Sequence, residues 1–137
     1  MTDSTTPVLI DSSAWIAYFA PEGHQALKDD IREALGSGRV HTCAVVVTEL
    51  LVGARNQQAF DKLKNLLSAL PNMAIDDACW QQAAQTGFSL RKKGRSIPLP
   101  DLLIAAVCRK DSLELWHLDQ HYHELTKQLQ IRHRSYL

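Results

Sequence analysis

Short apolar runs, separated by longer segments with helical periodicity, dominate the pattern of hydrophobic and polar positions along this chain. Four runs have the length and composition of short strands: residues 8–10, 40–42, 73–75 and 113–116. A closing run follows at 130–132. The first run, Val8–Ile10, has no polar position, which indicates a strand covered on both faces.

The segments between these runs carry helical signals. The most regular is 57–70, in which Phe60, Leu63 and Leu67 lie on one face of an amphipathic helix. Segment 44–55 is ambiguous between strand and helix, but its length and its leucines favour a helix. The predicted helices are 14–19, 24–35, 44–55, 57–70, 77–93, 102–110 and 122–128.

Strands that alternate with helices are typical of α/β proteins built on a parallel sheet. The chain has 137 residues, enough for one domain that buries roughly two-thirds of the surface of its unfolded chain. It contains no internal repeat, low-complexity tract or change in composition. We therefore predict a single domain over residues 1–137, with helices on both faces of a central parallel sheet.

The composition is that of an ordinary globular protein, with 45% hydrophobic and 22% charged residues. Fifteen basic side chains balance fifteen acidic ones, so nothing indicates a protein that binds nucleic acid over its whole surface. Cys43, Cys79 and Cys108 are odd in number, lie far apart and form no C-x-x-C pair. This argues against a disulfide framework and a cysteine zinc site, and it indicates buried thiols in a reducing compartment.

The chain carries no targeting or membrane signal. Its first seven residues have no basic segment ahead of an apolar stretch. No unbroken apolar run is longer than that at 102–108, which is far too short to span a membrane. We therefore expect a soluble cytoplasmic protein.

Four carboxylates stand out because hydrophobic sequence surrounds each of them: Asp11, Glu49, Asp101 and Asp119. Asp11 and Asp119 follow predicted strands at their carboxyl ends, the edge at which open parallel sheets bind ligands. Asp101 and Glu49 belong to predicted helices that can reach the same edge. The sequence therefore predicts a cluster of acids at one end of the sheet.

Such a cluster requires a compensating charge. Buried carboxylates repel one another, and an unpaired one costs on the order of several kcal/mol, so a cation or protons must be present. Mg²⁺ and Mn²⁺ prefer oxygen ligands and suit this role. An ion held in this way activates water and neutralises the charge that develops on a phosphodiester under attack. The predicted chemistry is metal-dependent phosphodiester hydrolysis.

Each acid also has a purely structural interpretation. Asp11 and Asp101 are good helix N-cap residues, and Asp119 suits an Asx turn. Glu49 has Arg55 as a possible ion-pair partner in the same segment. Four coincidental structural roles are a weaker account than one shared site.

The sequence around the four acids resembles the successive motifs of PIN-domain ribonucleases, in particular the VapC-type toxins of bacterial toxin–antitoxin pairs. The motifs match in order, spacing and context and extend over nearly the whole chain: VLIDSSAWI at 8–16, VTELLVGA at 47–54, IPLPDLLIAA at 97–106 and LDQHY at 118–122. The resemblance implies a three-layer α/β/α sandwich with a central parallel sheet. It also implies an endoribonuclease that depends on Mg²⁺ or Mn²⁺ and is controlled by a small cognate antitoxin.

The resemblance further implies roles for individual residues. Asp11 and Asp101 would be the principal metal ligands, and Asp119 and Glu49 would complete the catalytic site directly or through water. Ser13 matches the hydroxyl position two residues after the first acid, where it orients ligands or water. Its alternative role is that of an ordinary serine in the first turn of a helix.

The last motif departs from the family pattern. The family usually has Ser or Thr two residues before the fourth acid and often a second Asp two residues after it, where this chain has His117 and His121. The chain thus lacks a hydroxyl and one negative charge. With His123 nearby, a histidine-assisted site for a softer metal is one interpretation. The simpler one is that these histidines are exposed in a loop.

A further candidate feature is a basic segment that concentrates four of the fifteen basic residues in five positions: Arg91, Lys92, Lys93 and Arg95. We predict that it binds RNA phosphates. The structural alternative is that basic side chains favour the last turn of a helix before the C-capping Gly94. Both roles are compatible.

Aromatic residues suggest a partner surface. The helix at 14–19 is apolar on all sides, so a homodimer contact, an antitoxin groove or the rest of the fold must cover its surplus hydrophobic surface. Trp80 and Trp116 are predicted in the core rather than as platforms on which bases stack.

Two rival functions are compatible with the sequence. A non-catalytic RNA-binding or scaffold module would keep the fold but lose efficient metal binding through His117 and His121. A phosphatase with Asp11 as nucleophile is a weaker alternative. Such an enzyme is expected to have a second acid two residues after the first, where this chain has Ser13.

Overall fold

Five parallel strands form the centre of the computed structural model, which describes residues 5–137. The strands are β1 (Val8–Ile10), β2 (Val40–Cys43), β3 (Asn72–Met73), β4 (Glu114–His117) and β5 (His133–Ser135). They lie in the order β3-β2-β1-β4-β5, and every neighbouring pair is parallel.

Seven helices connect these strands within the described residues: α1 (Ser12–Phe19), α2 (Gln25–Gly36), α3 (Ala44–Val52), α4 (Gln57–Ser68), α5 (Asp77–Lys92), α6 (Leu99–Asp111) and α7 (Tyr122–Leu129). All seven were predicted, and the ambiguous segment 44–55 contains a helix. Several boundaries were wrong: β3 lies at Asn72–Met73 rather than 73–75, α3 ends at Val52 rather than 55, and α4 ends at Ser68 rather than 70. Two further differences have a local physical cause. Helix α6 begins at Leu99 because Pro100 needs no backbone N–H in a first turn. The last strand starts after 132, because Gln130 adopts a left-handed conformation with φ 54° and ends α7.

The chain extends the sheet from β1 in two directions. Strands β2 and β3 follow on one side of β1, and β4 and β5 follow on the other. Right-handed crossovers therefore place the helices between β1 and β3 on one face and the helices between β3 and β5 on the other. The predicted three-layer α/β/α sandwich with a parallel sheet is confirmed.

The core lies along β1 and α6. All three residues of β1 are buried, and so is every residue of α6 from Leu102 to Cys108. Trp116 is buried as predicted, but Trp80 is 50% exposed, so its prediction was wrong. Helix α5 buries Cys79 and Ala83 on its inner face, which directs the neighbouring Trp80 outward.

The three cysteines are buried and unbridged, as predicted. No helix within residues 5–137 is long and apolar enough to cross a membrane. The prediction that the chain lacks a targeting segment depends partly on residues 1–4, which lie outside the described residues.

Candidate metal centre

The predicted acids gather at the carboxyl edge of the sheet, where the strand order reverses. Asp11 follows β1 directly, and Asp119 lies two residues beyond β4, the strand paired with β1. The Asp11 N–H donates to the carbonyl of Trp116 at 3.1 Å, which holds the two strand ends together. Open α/β sheets bind ligands in the crevice at this position, because the connections leaving the two strands diverge.

Asp11 is fixed in place by the first turn of α1. It is the N-cap of that helix, and its Oδ1 accepts the Ala14 N–H at 2.9 Å. The Ser13 hydroxyl lies 2.7 and 2.8 Å from the two carboxylate oxygens of Asp11. The same hydroxyl accepts the Leu118 N–H at 3.1 Å. Capping is thus confirmed for Asp11, and Ser13 connects α1 to the loop that carries Asp119.

Asp101 occupies the first turn of α6, although it is not the N-cap, because Pro98 holds that position. The capping interpretation of Asp101 was therefore wrong. Its side chain is 13% exposed, and the Tyr122 hydroxyl donates to its Oδ1 at 3.4 Å. The buried residues that follow it in α6 anchor this turn at the edge of the sheet.

Asp119 and His121 form a turn beside Asp101. The His121 N–H donates to Asp119 Oδ1 at 2.9 Å, which confirms the Asx turn. The His121 Nδ1 lies 2.9 Å from Asp101 Oδ2 and 3.2 Å from Asp119 Oδ1. One donor atom from each of these three residues lies within 4.8 Å of the other two, so a single ion fits among them.

Glu49 stands at the rim of this cluster. It is exposed on α3, and its Oε1 accepts the Ser12 hydroxyl at 2.6 Å. Its hydrogen-bond partner is therefore a residue of α1 next to Asp11. The negative charge of Glu49 also helps to raise the pKa of Asp101. The structure thus brings all four acids and Ser13 to one edge, while their catalytic and metal-binding roles stay predictions.

The electrostatics of the cluster favour a cation. Burial raises the pKa of Asp11 from 3.8 to about 6, against the opposing hydrogen bonds from Ala14 and Ser13, and the charges of Asp101 and Asp119 raise it further. Burial, followed by the charge of Asp119, likewise raises the pKa of Asp101, while His121 opposes this shift. Carboxylates that repel one another in a partly buried crevice fit Mg²⁺ or Mn²⁺, which relieves the repulsion.

His117 is buried, so the interpretation of it as an exposed loop histidine was wrong. Its Nδ1 accepts the Asp119 N–H at 3.3 Å, so its Nε2 carries the proton that points to His133 Nδ1, 3.1 Å away. Burial lowers the pKa of His117 to about 4, and His133 adds to this effect. The neutral ring therefore holds the backbone of Asp119 where the family pattern has a hydroxyl.

Sequence reasoning missed Tyr122 as a residue of this site. Its ring is fully buried against His117, with ring centroids 4.9 Å apart, and its hydroxyl donates to Asp101. The available signal was its position in the LDQHY motif, three residues after Asp119.

The predicted basic segment divides into two parts. Arg91 and Lys92 lie in the last turn of α5, and the chain turns at Gly94 with φ 79°, so the structural interpretation is confirmed. The Lys92 ammonium lies over the Phe88 ring, 4.5 Å from its centroid. Arg95 instead lines a cavity of about 570 Å³ that also includes His121. Through Arg95 this segment therefore shares a cavity with His121, which contacts Asp101 and Asp119.

Residues 8–128 match the model of the PIN domain, and the chain belongs to the PIN domain family. It is similar to Ribonuclease VapC11 of Mycobacterium tuberculosis, with 28% identity over 133 residues that cover 94% of this chain and 98% of that protein. A chain of VapBC2 from Rickettsia felis, solved bound to a DNA fragment from its promoter, has a TM-score of 0.78 at 16% identity. The match covers 96% of this chain and 100% of that one.

A second solved structure is VapC20 of Mycobacterium tuberculosis, a Sarcin-Ricin loop cleaving toxin, with a TM-score of 0.64 at 18% identity. The match covers 85% of this chain and 93% of that one. At these identities the solved structures show a common fold. Together with the match to the PIN domain, they confirm the family resemblance that the motifs around the acids indicated.

Proposed function

We propose that this protein is a VapC-type toxin, an endoribonuclease that uses Mg²⁺ or Mn²⁺ to hydrolyse phosphodiester bonds in RNA and is inhibited by a cognate antitoxin. The observation that carries the proposal is the convergence of Asp11, Asp101 and Asp119 at the reversal of strand order in a PIN domain. The name of the relative Ribonuclease VapC11 supports RNA as the substrate.

The metal-holding residues in this proposal are Asp11, Glu49, Asp101 and Asp119. Asp101, Asp119 and His121 each place one donor atom within 4.8 Å of the other two, which supports direct contact of the two carboxylates with the ion. Asp11 and Glu49 contribute negative charge beside them and act directly or through water. When bound, the ion activates water and neutralises the charge that develops on the phosphate.

The protein's own groups fix the position of these carboxylates. Ser13 holds both oxygens of Asp11 and the backbone of Leu118, so it keeps the loop after β4 close to β1. His117 and Tyr122 hold Asp119 and Asp101 from the buried side. Groups fixed before the substrate arrives need not reorganise as charge develops in the transition state.

Two observations argue against the rival functions. Asp11 is 3% exposed and both of its oxygens accept hydrogen bonds, which is a poor setting for the nucleophile of a phosphatase. His117 supports the backbone of Asp119 from the buried side instead of displacing the acid. This arrangement favours the enzyme over the scaffold module.

The basic segment provides the path for RNA in this proposal. Arg91, Lys92 and Lys93 attract the phosphate backbone at longer range, and all three are exposed. Arg95 is the residue that reaches the cavity beside the acid cluster, together with Gln120 and Glu124. A cavity of about 570 Å³ with polar walls accommodates one nucleotide next to the phosphate that is cleaved.

Replacing Arg95 with Ala should weaken RNA binding roughly 10-fold and reduce the salt dependence of binding by about one phosphate contact. Lys92→Ala removes the same charge from the same segment and should change the affinity by less than about 2-fold. The measurement is RNA affinity in an Asp101→Asn background, where cleavage does not interfere. Equal effects of the two substitutions would argue against the cavity as the RNA path.

The antitoxin-binding surface in this proposal is the groove between α1 and α4. Helix α1 buries Trp15 but leaves Ile16 64% and Phe19 45% exposed, so the fold does not cover its surplus apolar surface. Phe19 lines a groove of about 320 Å³ with Leu63 and Leu66 of α4. Such a groove fits the apolar face of an amphipathic helix. The solved VapBC structures support an antitoxin as a partner, and we assign this groove to it.

Replacing Phe19 with Asp should abolish inhibition by the cognate antitoxin and leave RNA cleavage unchanged, because a charge in the groove opposes docking of an apolar helix. Phe88→Asp is the matched control, since Phe88 is 58% exposed on α5. Titration of cleavage activity with purified antitoxin gives the result. The assignment of the groove is wrong if both variants are inhibited like the wild type.

We place a homodimer contact on a second apolar face, where Val52 is 81% and Trp80 is 50% exposed. Both residues line a groove of about 590 Å³ beside Glu49. Analytical ultracentrifugation of the purified chain tests this placement, and a monomer at all concentrations would contradict it.

A cytoplasmic location completes the proposal, and three unbridged cysteines agree with it.

A further inference from the structure

His121 occupies a position that the family pattern often gives to an acid. Its Nδ1 lies 2.9 Å from Asp101 Oδ2 and 3.2 Å from Asp119 Oδ1, so the ring contacts both carboxylates. These three donor atoms form the one tight group of candidate metal ligands within residues 5–137. Asp11 and Glu49 are not part of that group.

The backbone around His121 keeps this ring in place. Its N–H is bound to Asp119 Oδ1, and the next residue, Tyr122, is fully buried and begins α7. The side chain of His121 is nevertheless 40% exposed, so an ion can enter from solvent. The ring is therefore held near the two carboxylates before any ion binds.

A ring nitrogen changes which ion such a site prefers. Mg²⁺ binds oxygen ligands and keeps several of its water molecules, whereas Mn²⁺ binds imidazole nitrogen more readily. A carboxylate at this position would favour both ions, while a neutral imidazole adds a donor without adding negative charge. The donor set of two carboxylates and one imidazole therefore favours Mn²⁺ over Mg²⁺.

We propose that His121 Nδ1 ligates the divalent ion together with the carboxylates of Asp101 and Asp119, and that this nitrogen gives the site a preference for Mn²⁺ over Mg²⁺. When the ion binds, Nδ1 gives up to solvent the proton that it donates to Asp101 in the metal-free site, and the neutral ring carries its proton on Nε2. The inference rests on the proposed function, because it concerns the same metal site. It assigns His121 a role that the four acids do not supply, which is selection between ions of equal charge.

Pulsed electron paramagnetic resonance of bound Mn²⁺ tests this assignment without reference to activity. The wild-type protein should show coupling of the Mn²⁺ electrons to a directly bound ¹⁴N nucleus. His121→Asn should lose that coupling, and its preference for Mn²⁺ over Mg²⁺, measured by competition, should fall at least roughly 10-fold. His123→Asn is the matched control, since His123 lines the same cavity and is exposed.

The possible results separate this inference from the proposed function. Mn²⁺ bound to the wild type without nitrogen coupling would overturn the role of His121 and leave the acid site intact. Failure of the wild type to bind Mn²⁺ would overturn both. Loss of the coupling in His123→Asn as well as in His121→Asn would also overturn the assignment, provided that both variants unfold at the wild-type temperature.

Discussion

Replacing Asp101 with Asn should reduce kcat/KM for RNA cleavage by roughly 100- to 1,000-fold, the range typical of losing one group that stabilises transition-state charge. The substitution preserves the shape of the side chain and an acceptor for the Tyr122 hydroxyl. It removes one of the two carboxylates nearest to His121, and with it much of the charge that holds a cation. The measurement is cleavage of a defined RNA at saturating Mn²⁺ or Mg²⁺.

Asp111 offers a matched control for this substitution. It lies on the same helix, at the end remote from Asp101, and forms an ion pair with Lys110 at 3.6 Å. Asp111→Asn should keep kcat/KM within about 3-fold of the wild type, because Asp111 lies at the opposite end of α6 from the acid cluster. Comparable activity of the two variants would mean that Asp101 does not belong to the catalytic site.

Replacing Asp11 with Asn should stabilise the metal-free protein near neutral pH, the opposite of most substitutions of buried residues. The pKa of Asp11 is about 6 in the folded chain, against 3.8 for the free side chain, so ionisation is harder in the folded state. The charged form therefore destabilises the fold progressively from about pH 4, and above about pH 6 by on the order of 3 kcal/mol. An Asn side chain carries no charge and still offers an oxygen to Ala14 and Ser13.

This stabilisation should depend on pH and on metal. Below about pH 3 Asp11 is protonated in both states, so the free energies of unfolding of the variant and the wild type should converge. Adding Mn²⁺ near neutral pH should stabilise the wild type more than the variant, since binding to the folded state alone raises its stability. Urea unfolding in a chelating buffer across this pH range provides the data.

The exposed Asp61 supplies a control, because Asp61→Asn should have no comparable effect at any pH. A stability difference between Asp11→Asn and the wild type that stays constant with pH would show that the charge of Asp11 is not responsible. An Asp11→Asn variant that is less stable than the wild type near neutral pH would show the same.

The sequence predicted the elements well where local pattern and tertiary environment agree. Val8–Ile10 has no polar position, and Asp11 follows it directly, so both the strand and the position of its acid could be predicted from adjacent residues. The first turn of α6 was missed, because Pro98 and Pro100 favour extended backbone yet fit the start of a helix. The shift of β5 has a similar cause, since Gln130 takes a conformation that side chains rarely adopt.

The contacts that organise the candidate site could not be predicted, because they join distant parts of the chain. The Ser13 hydroxyl meets the Leu118 N–H across 105 positions, and His121 meets Asp101 across 20. The burial of His117 depends on Tyr122 and His133, which no local pattern connects to it. Single-sequence reasoning therefore identified the acids but assigned His117 to the surface and left the role of His121 open.

The structure separates the acidic and basic residues that balance in the sequence. Fifteen acids and fifteen bases cancel over the whole chain, yet four acids meet at one edge of the sheet while Arg95 faces the neighbouring cavity. A bound divalent ion would offset part of the acidic charge. Net neutrality is therefore compatible with RNA binding, because it averages an acidic crevice and a basic surface beside it.

The most direct test of the metal-dependent ribonuclease is cleavage of RNA by the wild-type protein, freed of antitoxin and stripped of metal. We expect no cleavage in chelator, and recovery of cleavage when Mn²⁺ or Mg²⁺ is added back. Because water is the attacking group, the products should carry no 2′,3′-cyclic phosphate, and a 2′-deoxy nucleotide at the cleaved position should still be cut. Cleavage that persists in chelator, or that yields a cyclic phosphate, would contradict the account.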